Sequence, residues 1–117
     1  MTSDERLDRT LTMNTNTTRS YKDLVVWQKG IALAKLVYQL TKNFPSEEKF
    51  GLGAQMRRAA VSIPSNIAEG QARHTTGEFI QFISHAEGSL AELDTQLILS
   101  IERRMLNVLR RKLASRH

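Results

Sequence analysis

This chain has few of the residue types that do chemistry, and those few are poorly spaced for it. Its histidines are His74, His85 and His117. A carboxylate-bridged metal pair in a helical bundle uses Glu-x-x-His, which sets both ligands on one helix face. The residues three positions before these histidines are Gln71, Phe82 and Ala114. There is no cysteine, which excludes thiolate nucleophiles, thiolate metal sites and disulfides. Ser62, Ser65 and Ser84 have no histidine at a spacing that suits a general base. No segment alternates as a strand, so no glycine-rich phosphate loop follows one. The sequence predicts no catalytic residue, no metal and no cofactor, and hence a protein that is not an enzyme.

What remains is charge. Seventeen Lys and Arg against twelve Asp and Glu give a net charge of +5 and a pI of about 10.0. That balance favours polyanionic partners. Arg57, Arg58 and Arg73 form one group. Arg103, Arg104, Arg110, Arg111, Lys112 and Arg116 form another, in a segment with no acid after Glu102. Such a strip suits phosphate contacts from RNA or DNA, and equally a solvated helix end, where cations suit the dipole. It has no aromatic residue for base stacking, so any binding there is expected to be nonspecific.

A second polar set, Gln55, Arg58, Ser62, Asn66 and Glu69, lies within about 80° on one face at 100° per residue. Pro64 sits among them and removes one backbone donor, freeing the carbonyl of Ala60. Ser65, Asn66 or a water could answer for that carbonyl. This face reads as a hydrogen-bonded seam between helices or subunits, with a ligand or partner site as the alternative.

The elements that carry these residues follow from periodicity. The first helix is expected over residues 23–43, capped by Asp23 and ended by Phe44-Pro45. Its apolar residues, Leu24, Val26, Trp27, Ile31, Leu33, Ala34, Val37, Tyr38 and Leu40, cover about half the circumference. A stripe that wide implies burial against a core and a neighbouring subunit, with Trp27 and Tyr38 largely buried. The second helix is expected to begin at Glu48 or Leu52, with Ser46 as a cap, and to run to Gly70. Leu52, Met56, Ala59, Ala60, Ile63 and Ile67 form its core face, and Gly70 ends it as a C′ glycine. Thr75 and Glu78 form a capping box for the third helix, which carries Phe79, Phe82, Ile83, Ala86, Leu90, Leu93 and Leu97.

Beyond Leu97 there is no turn signal. From Glu78 to His117 there is no proline, and the only glycine is Gly88. Ile101, Met105, Val108, Leu109 and Leu113 continue the helical spacing on a rotated face. One helix of about 40 residues is expected, roughly 60 Å long, whose second half exposes an apolar stripe for another chain to cover. Residues 1–20 are polar and are expected to form a disordered tail before a helical domain at 21–117. Met1 to Arg9 have no apolar run behind them, and no window holds 18 consecutive apolar residues. The expected location is cytoplasmic, with no membrane partner.

Four stretches carry a resemblance to a known family. They are Tyr21-Lys22-Asp23-Leu24-Val25-Val26-Trp27-Gln28; Phe44-Pro45 with Phe50-Gly51-Leu52; residues 55–70, from Gln55-Met56-Arg57-Arg58 through Ser62-Ile63-Pro64-Ser65-Asn66 to Glu69-Gly70; and Gly88-Ser89-Leu90-Ala91-Glu92-Leu93-Asp94-Thr95-Gln96-Leu97. Together they resemble the four-helix-bundle proteins encoded in intervening sequences of 23S ribosomal RNA genes, which are related to the accessory proteins of diversity-generating retroelements. The resemblance implies an all-α, up-and-down bundle that assembles into homo-oligomers, typically pentamers, without enzyme activity. It also implies a basic surface that contacts RNA, DNA or a nucleic-acid enzyme. This chain departs from the family pattern after Ser100, where the Gly-containing turn and the first half of a fourth helix are absent. Three helices with a long third one are therefore expected.

Overall fold

The structure is a computed structural model that describes residues 20–115. The tail expected over residues 1–20, apart from Ser20, and the terminal Arg116 and His117 lie outside the described residues. A 3-10 turn, Tyr21–Asp23, leads into helix α1, Val25–Lys42. A short corner helix α2, Ser46–Phe50, precedes α3, Leu52–Gln71, and a single long helix α4 spans Thr76–Ala114. The all-α, three-helix expectation is met, with α2 as an added corner.

Helix α3 is the centre. It packs on α1 along one side and on α4 along another, whereas α1 and α4 hardly touch each other. Its expected core face is observed: Met56, Ala59, Ala60, Ile63 and Ile67 are buried, and Leu52 packs partly against them. Leu24, Ala34, Val37 and Phe44 join from the α1 side, and Ala86 and Leu93 from α4. Pro64 does not interrupt α3. Its ring fits against α1 at Gly30, where an added Cβ would lie 3.3 Å from the Pro64 Cβ. Ser65 and Asn66 do not answer for the carbonyl of Ala60, as their side chains donate to the carbonyls of Val61 and Ser62, each at 2.8 Å.

Three caps differ from expectation, the first being Ser46, which lies inside α2 behind an N-cap Pro45 and makes no cap bond. Asp23 lies in the 3-10 turn, and Leu24 takes the N-cap position of α1 without a side-chain cap bond. Leu24 is almost wholly buried, so its packing fixes the chain's entry. The 3-10 turn is itself capped by Ser20, whose hydroxyl accepts from Lys22 N at 3.1 Å. Gly70 is not a helix-ending C′ residue. Among the described residues no glycine has positive φ, and α3 runs on to Gln71. Gly70 is instead a point of close approach, where a Cβ would stand 2.8 Å from the Phe82 Cβ. The Thr75 cap is as expected, its hydroxyl accepting from Glu78 N at 3.1 Å.

The 39 residues of α4 form one uninterrupted helix through Ser100. At 1.5 Å per residue it is about 58 Å long, roughly twice the 20-residue α3. The principal extents are 67 × 30 × 22 Å and the radius of gyration is 18.3 Å. A compact domain of this size has a radius of about 13 Å. The excess is about the last third of α4, where Ile101, Met105, Leu106, Val108, Leu109 and Leu113 are exposed, Met105 by 68%.

Two glycines separate close approach from mere tolerance. Gly70→Ala should lower stability by about 1–2 kcal/mol, because overpacking against Phe82 outweighs the gain in helix propensity. Gly88 lies exposed inside α4, with nothing within 4 Å of an added Cβ. Gly88→Ala should therefore raise stability by about 0.5–1 kcal/mol. Urea midpoints at unchanged m-value check both signs.

Candidate nucleic-acid interface

Several of the basic residues are already engaged in holding the fold. Arg57 is half-buried between α1 and α3. Its Nε donates to Thr41 Oγ1 at 2.7 Å, and its guanidinium lies 4.8 Å from the centre of the Tyr38 ring. Thr41, fully buried, in turn donates to the Val37 carbonyl at 2.8 Å. Arg103 Nε stands 3.0 Å from Glu48 Oε1, and Glu48 is only 7% exposed. Arg104 stacks over Phe44, 5.5 Å from the ring centre. These two contacts tie the last third of α4 to the α1–α2 corner. Arg73 covers the Phe82 ring at 4.7 Å.

Arg58, Arg110, Arg111 and Lys112 are exposed. The structure does not bring Arg73 together with Arg57 and Arg58, which sit near the start of α3 while Arg73 follows its end. Arg58 instead lines an open hollow of about 490 Å³ with Arg57, Lys49, Tyr38, Phe50 and Val61. Phe50 is 81% exposed and Tyr38 47%. Tyr38 is thus not the largely buried aromatic expected from the apolar face of α1. It lies outside the core, beneath Arg57. Trp27, expected to be largely buried, is partly buried against the core and edge-on to Tyr21 at 5.3 Å. Lys49 and Phe50 were absent from the sequence-based candidates, since a five-residue helix shows no periodicity by which to read its faces. An exposed Phe beside Lys in a corner helix was the available signal.

The polar face of α3 is half a seam. Ser62 Oγ pairs with Ser89 Oγ of α4, and Asn66 Nδ2 donates to the Ser62 carbonyl. Gln55, Arg58 and Glu69 remain exposed. The α4 side of the seam also differs from expectation. Leu90 is 49% exposed, while Gln96 and Ser100 are buried. The buried line Ala86, Leu93, Gln96, Ser100, with half-buried Phe82 and Ser89, has the alternating four- and three-residue spacing of a helix packed on a neighbour. Ser100 donates to the Leu97 carbonyl at 2.8 Å, and Gln96 donates to Glu92 Oε1 at 3.2 Å.

Among the described residues no group of three His, Asp or Glu is placed to hold a metal ion. Among them, too, no helix is long and apolar enough to cross a membrane. The available chemistry is that of a surface: exposed cations along α1, near the start of α3 and on the outer turns of α4, and exposed apolar residues on α4.

The model of the family described as 23S rRNA-intervening sequence protein matches residues 22–114, nearly the whole described chain. No curated protein matches the chain in sequence.

The engaged and the free arginines should separate in stability measurements. Arg103→Gln should cost about 1–2 kcal/mol, since it leaves the buried Glu48 carboxylate without its partner. Arg110→Gln, on exposed helix, should stay within about 0.5 kcal/mol of the parent. Chemical denaturation of both variants checks the difference.

Proposed function

Because the chain belongs to the 23S rRNA-intervening sequence protein family, we propose that it is a non-catalytic, oligomeric helical-bundle protein that contacts nucleic-acid backbone through its basic surface. The observation that carries this reading is the exposed run Arg110, Arg111 and Lys112, in a helix segment with no acid after Glu102. Arg103 and Arg104 face the corner and are committed there, so the outer turns of α4 supply the free cations. Phosphates would be met as charge, without base reading, because no aromatic side chain stands among these residues. Arg58 and Lys49, beside exposed Phe50 and Tyr38, form a second cationic place where a base could also stack. The cytoplasm, where ribosomal RNA is found, suits this role.

The exposed apolar half of α4 favours a second reading, a protein-assembly module whose charge serves only solubility. Binding to RNA discriminates the two. In the first reading Arg110→Gln with Arg111→Gln weakens binding about equally for all RNA sequences. The salt slope should fall by about 1.5–2 units, as expected for two lost phosphate contacts. Filter binding of the full chain across a salt series measures this. Absence of binding below about 100 mM salt, where such contacts are strongest, selects the assembly module instead.

A further inference from the structure

Helix α2 is one short turn, yet it sends two side chains to opposite uses. Glu48 and Phe50 are two positions apart, about 200° round the helix, so they face opposite ways. Glu48 turns inward and meets Arg103. Phe50 turns outward and is 81% exposed, more than any other large apolar side chain among the described residues. It opens onto the hollow of about 490 Å³ between α1, α2 and α3, with Tyr38 beside it. Lys49, Arg57 and Arg58 line the same hollow, and among the described residues no carboxylate does. Arg57 is already fixed in place. Its Nε donates to Thr41 Oγ1, and its guanidinium lies on the Tyr38 ring. A cation held in this way gives up little further side-chain entropy on meeting an anion.

We propose that this hollow takes one unpaired nucleotide of a single-stranded nucleic acid, its base against Phe50 and Tyr38 and its phosphate on Arg57, Arg58 and Lys49. This rests on the nucleic-acid reading proposed above and adds a strand preference to it. The charges are complementary, and the volume lies in the range of roughly 300–1,000 Å³ usual for small-ligand sites. A duplex stacks each base above and below, so no ring face is left for Phe50. A single strand leaves its bases free to stack on a protein ring. The hollow is open, so a strand can continue beyond the bound nucleotide. The outer turns of α4 carry no aromatic residue and meet either kind of strand as charge. The corner therefore supplies the preference for unpaired strands. It meets the face of a base and not its hydrogen-bonding edge, so preference among sequences is weak.

Fluorescence anisotropy of the full chain with a labelled oligouridylate and with a labelled blunt RNA duplex tests this. Phe50→Ala should weaken oligouridylate binding by about 5- to 150-fold, the loss expected for one stacked base, at unchanged salt slope. Its duplex binding should equal the parent's. Arg58→Gln should lower the oligouridylate salt slope by about 0.7, one phosphate contact on a single strand. Both side chains are exposed, so thermal melts should match the parent. Phe50→Tyr keeps the ring and should keep the binding, which separates stacking from a structural role. Arg58→Gln carries the test if Phe50→Ala alters the melt. In Phe50→Ala, equal loss for duplex and single strand, or loss for neither, overturns the proposal. Uridine monophosphate competing at the same concentration as the oligomer reassigns the hollow to a free nucleotide. Oligoglutamate of equal charge competing as well as unlabelled oligouridylate reassigns it to an acidic peptide. The chain carrying Arg110→Gln with Arg111→Gln tells this proposal from the backbone reading. Binding weakened there but unchanged in Phe50→Ala leaves only the backbone reading. The reverse leaves only the corner site, and absence of binding by the parent chain overturns both.

Discussion

The fold depends on how closely two neighbours can approach α3. Gly30 lets α1 meet the ring of Pro64, and Gly70 lets the end of α3 meet the Cβ of Phe82 at the start of α4. These contacts are short because there is no side chain to hold the helices apart. Ala59 and Ala60, both buried, keep the same side of α3 thin along its middle. With the backbones this close, a small set of larger residues, Leu24, Met56, Ile63, Ile67 and Leu93, is enough to fill the space between them. Polar ties then fix the helices against sliding: Arg57 to Thr41 across α1 and α3, and Ser62 to Ser89 across α3 and α4.

The same arrangement creates the unfinished side of the molecule. Because α1 and α4 both lean on α3 and scarcely on each other, Leu33 and Leu40 of α1 and Ile83 and Leu97 of α4 are covered on one side only. Helix α4 then runs past the end of the bundle, held about seven-tenths of the way along by Arg103 on Glu48 and Arg104 over Phe44. Among the described residues, the apolar side chains of the outer turns stay exposed. Monomeric proteins seldom expose a contiguous apolar patch of this kind.

Burial and pairing also divide the basic residues. Arg57 and Arg103 each satisfy a buried or nearly buried oxygen, so their charge is spent within the fold. Arg58, Arg110, Arg111 and Lys112 keep theirs facing water. A net charge of +5 is thus a poor guide to what a polyanion would meet. The exposed cations lie on the outer turns of α4, around the hollow lined by Arg58, Lys49 and Phe50, and along α1 at Lys29, Lys35 and Lys42.

The sequence by itself determined the local features. The continuous α4, the Thr75 cap, the core face of α3 from Met56 to Ile67 and the stop at Phe44-Pro45 are all decided within a turn or two of chain. Periodicity, capping and proline geometry act over that range, and the long motif around Pro64 carried the family resemblance. Tertiary structure decided what each surface meets. Gly70 resembled a helix terminator and is a contact point; Leu24, rather than Asp23, sets the entry of α1. Tyr38 left the core for Arg57, while Gln96 and Ser100 took the buried line that excluded Leu90. These outcomes depend on the distance and rotation between helices far apart in sequence. No single helix encodes those quantities, since each apolar face is wide enough to pack in more than one orientation.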